Sequence, residues 1–339
     1  MKARDPASAD TLPDWLSRHH SSTALTQGLA DVHQRLSERG LASPADEAEL
    51  VRTLDVLDHL KVDVETLLAA AWFPLISQNP EAITDAVRLH GAAFEPLLIG
   101  QLEAEKVWPL HQHKAANASA EGLRRLLLVL IRDLRVVFVL LARQLVRLRM
   151  ASRKDPTEVR RLAQLTADIH GPLANRLGIW QVKWELEDLV FRYLQPETYK
   201  RIAVLLDERR GDRERYIKLV LDDLRSALGQ AGVQADVAGR PKHIYSIWKK
   251  MQRKAVDFSE LYDVRAVRVL VADVPTCYAA LGVVHAKWTP IAKEFDDYIA
   301  RPKGNDYRSL HTAVIGPEGK ALEVQIRTHQ MHEHAELGV

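Results

Sequence analysis

The chain has 339 residues, 47% of them apolar and 27% charged, and its 47 basic and 45 acidic residues leave a net charge of +2. These values exclude wholesale disorder, a fibrous repeat and any overall attraction to nucleic acid or anionic lipid, so an anion bound here must be bound locally. The strongest apolar run, residues 126–142, is broken by Arg132, Asp133 and Arg135, short of the roughly 18 residues a membrane span needs, and no membrane partner is expected. Residues 1–10 lack an apolar segment with a small-residue cleavage site, which points to a cytoplasmic location. Cys277 is the single cysteine, so there is no internal disulfide or thiolate cluster, and it reads as a buried structural thiol.

At roughly 100–200 residues per domain, two or three domains are expected. Leu50, Leu54, Leu57 and Leu60, then Val64, Leu67 and Leu68, recur at helical spacing, and the first 150 residues read as packed amphipathic helices. Residues 123–150 continue them. Asp155 as N-cap and Pro156 at the first helical position then open another helix, over residues 158–177, with two more at 184–193 and 213–228.

After Gly229 the pattern changes. Residues 233–237 alternate weakly, 264–271 are β-branched and apolar, and 311–315 and 321–327 flank Gly316, Pro317, Glu318 and Gly319 as strand, tight turn and strand. Helical patterns lie between them at 243–253 and 276–287. The expected fold class is α+β: an all-α domain over residues 1–155, linking helices over 156–228, and an α/β domain with a mixed sheet flanked by helices over 229–339.

Three stretches carry residue types suited to chemistry. Residues 239–254 hold Arg240, Lys242, Lys249, Lys250, Arg253 and Lys254 with no acid, starting at a Gly-Arg-Pro turn before a helix. Guanidinium forks, ammonium groups and free N–H donors at a helix start hold polyphosphates, although a solvated basic helix face has the same composition. Residues 301–311 mix cations, amides, Tyr307 and His311 in a loop, which suits stacking a base and holding its phosphates, or simply a polar surface loop. In residues 321–327, alternation puts Leu322, Val324 and Ile326 on one face and Glu323, Gln325 and Arg327 on the other. A carboxylate so placed can bind Mg²⁺ or accept a proton; a half-exposed strand with a routine charge pair reads the same.

Asp263 precedes an apolar strand that also carries Arg265 and Arg268. Five residues apart, Asp263 and Arg268 share a face only if the strand starts after Asp263 or is bulged. His329, His332 and His334 read as a polar helix end, and His111 and His113 likewise carry no metal pattern. The phosphate-loop lysine motif and the dinucleotide glycine fingerprint are both absent.

Together, residues 171–188 (GPLANRLGIWQVKWELED), 239–251 (GRPKHIYSIWKKM), 260–269 (ELYDVRAVRV), 294–312 (EFDDYIARPKGNDYRSLHT) and 323–333 (EVQIRTHQMHE) resemble the RelA/SpoT family of alarmone enzymes, with a match close to its ribosome-associated branch. The resemblance implies Mg²⁺-dependent transfer of pyrophosphate from ATP to the ribose 3′-hydroxyl of GDP or GTP, leaving AMP. By the family pattern Arg240 and Arg268 sandwich the adenine, while Lys242, Ser246 and Lys250 hold the donor phosphates. Tyr307 stacks on guanine, with Lys303, Asn305 and His311 on the acceptor nucleotide. Asp263 ligates the metal; Glu323 helps to bind it and draws the proton from the attacking hydroxyl, supported by Gln325.

The segment with Glu294, Phe295, Asp296 and Asp297 is the acidic form that accompanies family members restricted to synthesis, and Asp306 and Arg308 stand where the commoner pattern has glycine and glutamine. The helical domain resembles the family's alarmone hydrolase, but rough alignment puts its metal ligands at Phe73, Pro74, Glu49 and Arg143, so no hydrolysis is expected. Long members continue into a C-terminal half that meets the ribosome and uncharged tRNA, and this chain stops short of it. Two other readings stay open: a nucleotidyltransferase acting on RNA ends, which needs a Gly-Ser turn and a close Asp-x-Asp pair where this chain has Gly-Arg-Pro, and a non-enzymatic nucleotide-binding module.

Overall fold

The computed structural model describes residues 11–18, 22–41, 43–107, 122, 132–208, 210–240, 243–254 and 265–337. Two compact units divide the chain, Met1–His170 and Gly171–Val339.

In the first unit every regular element described is helical: Leu12–Arg18, Thr23–Glu38, Pro44–His59, Val64–Gln78, Ala82–His90, Glu95–Glu105, Arg135–Met150 and Pro156–Leu165. Local chemistry fixes the helix starts. Ser22, Ser43 and Asp63 each accept a hydrogen bond from the backbone N–H three residues on, and Asp155 accepts from Thr157 and Glu158 with Pro156 behind it. Val64–Gln78 is apolar nearly all round, with Leu67, Leu68, Ala70, Trp72, Leu75 and Ile76 buried, and so runs through the core. Leu54 and Leu57 of Pro44–His59 are fully buried, and that helix packs against Arg135–Met150. No described helix is long and apolar enough to cross a membrane.

The helix expected over residues 158–177 is interrupted. A π-helical turn, Thr166–His170, follows Leu165, because the Thr166 hydroxyl donates back to the Leu162 carbonyl and accepts from the Gln144 amide at 2.7 Å.

The second unit holds a five-stranded mixed sheet: β1 Asp236–Gly239, β2 Ala266–Val271, β3 Thr289–Asp297, β4 Leu310–Ile315 and β5 Ala321–Thr328, in the order β1-β2-β5-β4-β3. Only β2 and β5 run parallel; the other neighbours are antiparallel. Residues in register share a face. Val267, Val269 and Val271 thus join Leu322, Val324, Ile326, Leu310 and Val314, and are covered by Val220 and Leu224 of helix Arg210–Gln230 and Cys277, Ala280 and Val284 of helix Val274–Lys287. Cys277 is the structural thiol expected, and burial pushes it up to about 11.

The alternation read in residues 321–327 holds, and so does the tight turn before it, formed by Pro317–Gly319 with Gly319 at φ 68°. The strand expected at 233–237 starts later, at Asp236, because Gly232 at φ 72° ends the preceding helix and the Val233 N–H donates to the Leu228 carbonyl. Helix Pro196–Glu208 is not among the helices expected above, although Tyr199, Ile202, Leu205 and Leu206 recur at helical spacing, and β3 carries too little alternation to be read from sequence.

Candidate nucleotide site on the open sheet face

The sheet face opposite the two core helices gathers the residues singled out above. Arg268, Gln325 and His311 lie in register across β2, β5 and β4, and two residues back Glu323 has alanines, Ala266 and Ala313, on both sides. The Glu323 carboxylate therefore has no bulky cross-strand neighbour. Arg240 follows β1, its N–H donating to the Ala266 carbonyl at 2.8 Å, and its guanidinium Nη1 reaches Glu323 Oε1 at 2.9 Å.

Helix Trp180–Leu194 frames this pair. The Arg240 guanidinium lies 5.6 Å from the Trp184 ring centre, Trp184 stacks on His243 at 5.4 Å, and Asp188 accepts from the Tyr245 N–H and meets His243 Nδ1 at 3.1 Å. Asp188 thereby fixes the start of the basic helix Ile244–Lys254, which carries Ser246, exposed, and Lys250, half-buried.

A polar chain runs along the face. The Gln325 amide accepts from Arg268 Nε at 3.3 Å and donates to the Tyr307 hydroxyl. That hydroxyl, having accepted one hydrogen bond, gives its own proton to His311 Nε2 at 2.8 Å. The proton of the neutral His311 ring then sits on Nδ1, 3.9 Å from Glu323 Oε1. Burial pushes the imidazole down to about 3, against the pull of Glu323, so it is neutral near pH 7.

Tyr307 itself is 5% exposed. Trp180 meets its ring edge-on at 5.2 Å, Tyr298 lies 6.1 Å away, and the Lys303 ammonium stands 5.2 Å from the ring centre. Asn305 donates to the Asn175 carbonyl at 2.8 Å, and its buried Oδ1 has no hydrogen-bond partner among the described residues. On β3, Asp296 is in register with His311, and Asp297 accepts from the Tyr278 hydroxyl at 2.9 Å. Glu294 lies two residues before Asp296 on the same strand.

Lys242 and Asp263 lie outside the described residues. β2 does begin after Asp263, at Ala266, which is one of the two conditions for Asp263 and Arg268 to share a site.

Sequence reading missed part of the face. Gln325 and Arg327 are 1% and 0% exposed rather than half-exposed, because helix His329–Leu337 folds back from the end of β5 and packs against β2 and β5. His332, read as part of a polar helix end, sits against Arg327 Nη2 at 2.5 Å and Arg268 Nη1 at 3.3 Å, while Glu336 meets Arg327 Nη2 at 3.1 Å and Arg268 Nη2 at 3.5 Å. Burial and the two guanidinium groups push His332 down to about 4. The signal available was the spacing: His332 and Glu336, like Trp180 and Trp184, are four apart and share a helix face.

In the first unit, three of the positions aligned with hydrolase ligands come together with other chemistry. The Arg143 guanidinium lies 3.3 Å from the Phe73 ring centre and pairs with Glu105 at 2.9 Å; Arg147 pairs with Glu49 at 3.1 Å. Pro74 sits inside helix Val64–Gln78. Arg143 is 6% exposed, and burial together with Arg147 lowers it to about 10. Among the described residues no group of three His, Cys, Asp or Glu is placed to hold a metal ion.

Residues 239–339 match the family described as "Region found in RelA / SpoT proteins", and residues 29–180 match an HD domain. A protein of Photobacterium angustum named GTP pyrophosphokinase is 44% identical over 338 residues, covering 97% of this chain and 45% of that protein. A Synechocystis protein named probable guanosine-3′,5′-bis(diphosphate) 3′-pyrophosphohydrolase is 39% identical over 312 residues, covering 91% of this chain and 40% of that one. The chain thus spans less than half the length of either relative. Among solved structures, small alarmone synthetase 1 from Bacillus subtilis bound to its product pppGpp shares 26% identity over 39% of this chain and 76% of its own, at a TM-score of 0.30. With both matched regions in sequence and 44% identity sustained over 97% of its residues, the chain belongs to the RelA/SpoT family.

Proposed function

We propose that the chain transfers pyrophosphate from ATP to the 3′-hydroxyl of GDP or GTP, giving (p)ppGpp and AMP. The observation that carries this reading is the 2.9 Å pair of Glu323 with Arg240 on a sheet face that also presents Arg268, Tyr307 and His311. The relative from Photobacterium, named for this activity, supports it. Two nucleotides bring many phosphate charges, and a nearly neutral chain meets them by concentrating cations locally.

In this reading Glu323 accepts the proton of the attacking hydroxyl, and the neutral His311, its N–H turned toward Glu323, steadies the carboxylate. Gln325 links Arg268 on the donor side to Tyr307 on the acceptor side, so the two nucleotide positions share one hydrogen-bonded frame. Arg240 exchanges Glu323 for the donor purine, and guanine displaces the Trp180 edge from Tyr307. Lys303, Asn305 and His311 line the acceptor, Lys242, Ser246 and Lys250 the donor phosphates, and Glu294, Asp296 and Asp297 border the acceptor side. Alignment and charge neutralisation supply the catalysis, without a nucleophilic side chain.

The Glu323 carboxylate is the hard oxygen donor that Mg²⁺ takes, and with Asp263 it would hold the ion. Bound there, Mg²⁺ would neutralise charge on the transferred group. Although the Synechocystis relative is named for hydrolysis, the Arg143–Phe73 stack and the Arg147–Glu49 pair in this chain support synthesis alone. By the family resemblance, engagement of the ribosome and uncharged tRNA is proposed to need residues other than these 339. Incubation with γ-labelled ATP and GDP, then separation of the products, tests the reading: labelled (p)ppGpp and an equal amount of AMP are expected, and ATP recovered intact contradicts it.

A further inference from the structure

Arg268 and Arg327 are diagonal neighbours on the same sheet face, since Arg268 is in register with Gln325, two residues before Arg327. Arg327 is fully buried and Arg268 is 20% exposed in its side chain, so the two cations repel with little solvent between them. The carboxylate they share is Glu336, at 3.1 Å from Arg327 Nη2 and 3.5 Å from Arg268 Nη2. Among the described residues Arg327 Nε and Nη1 have no hydrogen-bond partner, and this guanidinium is held at Nη2, through Glu336 and His332.

His332 touches both arginines but can serve only one. A neutral imidazole offers a single lone pair, and both of its nitrogens face guanidinium N–H groups, Nδ1 at 2.5 Å from Arg327 and Nε2 at 3.3 Å from Arg268. The shorter contact takes the lone pair, which leaves an N–H of His332 opposed to an N–H of Arg268. Attraction on Arg268 therefore comes from Gln325 at Nε and Glu336 at Nη2. The Gln325 hydrogen bond lies in the guanidinium plane, and the Glu336 carboxylate sits at the rim as an ion-pair partner 3.5 Å from Nη2, so the two together hold the plane and leave the faces free.

We infer that Glu336 is a positioning residue: it sets the plane of the Arg268 guanidinium, balances the repulsion from Arg327, and so holds Arg268 ready to stack on the donor purine. The inference rests on the proposed contact of Arg268 with ATP. Helix His329–Leu337 continues directly from β5, so one strand and its following helix deliver both Glu323 and the group that orients the donor side. Without Glu336 the Arg268 side chain gains rotational freedom, and ATP binding must then order it.

The test is calorimetric titration of the 339-residue chain with a non-hydrolysable ATP analogue and, separately, with GDP. Glu336→Gln is expected to weaken the ATP analogue roughly tenfold, the scale of a lost part-buried ion pair, and to leave GDP within about twofold. His332→Ala is expected to change either ligand by less than about threefold. In an Arg268→Ala background, Glu336→Gln should add nothing further. Wild-type ATP affinity in Glu336→Gln, or equal losses for both ligands, overturns the positioning role if Arg268→Ala itself weakens ATP. If Arg268→Ala binds ATP normally, the donor-site reading fails and the inference goes with it. Should Glu336→Gln not fold, Glu336→Asp keeps the charge one methylene short, and the same split between ATP and GDP decides.

Discussion

Arg240 Nη1 stands 2.9 Å from Glu323 Oε1, so the cation proposed for the donor purine and the carboxylate proposed as the base neutralise each other. Breaking that pair is part of binding ATP. Glu323→Gln therefore separates affinity from chemistry: titration with the ATP analogue should show binding as tight as wild type or tighter, while alarmone production falls roughly 10²–10⁴-fold, the usual contribution of a positioned base. Weaker ATP binding in this variant would place Glu323 in ground-state recognition instead.

Tyr307 has two separable parts. Its hydroxyl joins Gln325 to His311, and its ring is enclosed by Trp180, Tyr298 and Lys303. Tyr307→Phe should lower turnover roughly 2–10-fold, the value of a hydrogen bond, with GDP affinity nearly kept. Tyr307→Ala should weaken GDP roughly 10–100-fold, the scale of base stacking. Trp180 reports the same event: GDP should change its fluorescence, and the change should vanish in Trp180→Phe.

His90 accepts a hydrogen bond from the Trp72 indole N–H at 3.1 Å and lies 4.8 Å from the Phe94 ring. Only the neutral ring can accept, and burial holds its pKa below the ordinary value near 6.5. The unfolded chain then binds a proton that the folded chain refuses, so stability falls as pH drops below about 6.5. Urea unfolding at pH 5 and pH 7.5 should show a smaller acid loss for His90→Leu than for wild type.

Arg143 and Phe73, which the sequence reading aligns with metal ligands of the family's hydrolase, instead stack at 3.3 Å. Purified protein should show no manganese-dependent breakdown of (p)ppGpp by chromatography. Arg143→Ala, which strands Glu105 and opens a cavity over Phe73, should lower stability by roughly 1–3 kcal/mol in urea unfolding, less than for a fully buried pair because Glu105 is about a third exposed.

Local chemistry explains how much of this was legible in the sequence. Asp155 with Pro156, the alternation of Leu322, Val324 and Ile326, and the turn at Pro317–Gly319 each act within a few residues, and each is found where the pattern puts it. The irregular edge strand β3 depends on tertiary packing and left no clear period, whereas helix Pro196–Glu208 does carry Tyr199, Ile202, Leu205 and Leu206 at helical spacing and was legible but not read. In the candidate site, Glu323, Gln325 and Arg268 could be placed on one face once the strand phases were known. The burial of Arg327 could not, because it depends on helix His329–Leu337 folding back over β5, a long-range event that the histidines at 329, 332 and 334 do not announce by themselves. Asp263 and Lys242 lie outside the described residues, so their places in the site stand as proposals.

The most direct test of the central claim is a single-turnover reaction of the purified chain with γ-labelled ATP, GDP and Mg²⁺, quenched and resolved for both products. The account predicts label moving to the 3′ position of the guanosine nucleotide in step with AMP release, and both products forming roughly 10²–10⁴-fold more slowly with Glu323→Gln. Label released as free phosphate or pyrophosphate, or full product formation by that variant, would contradict it.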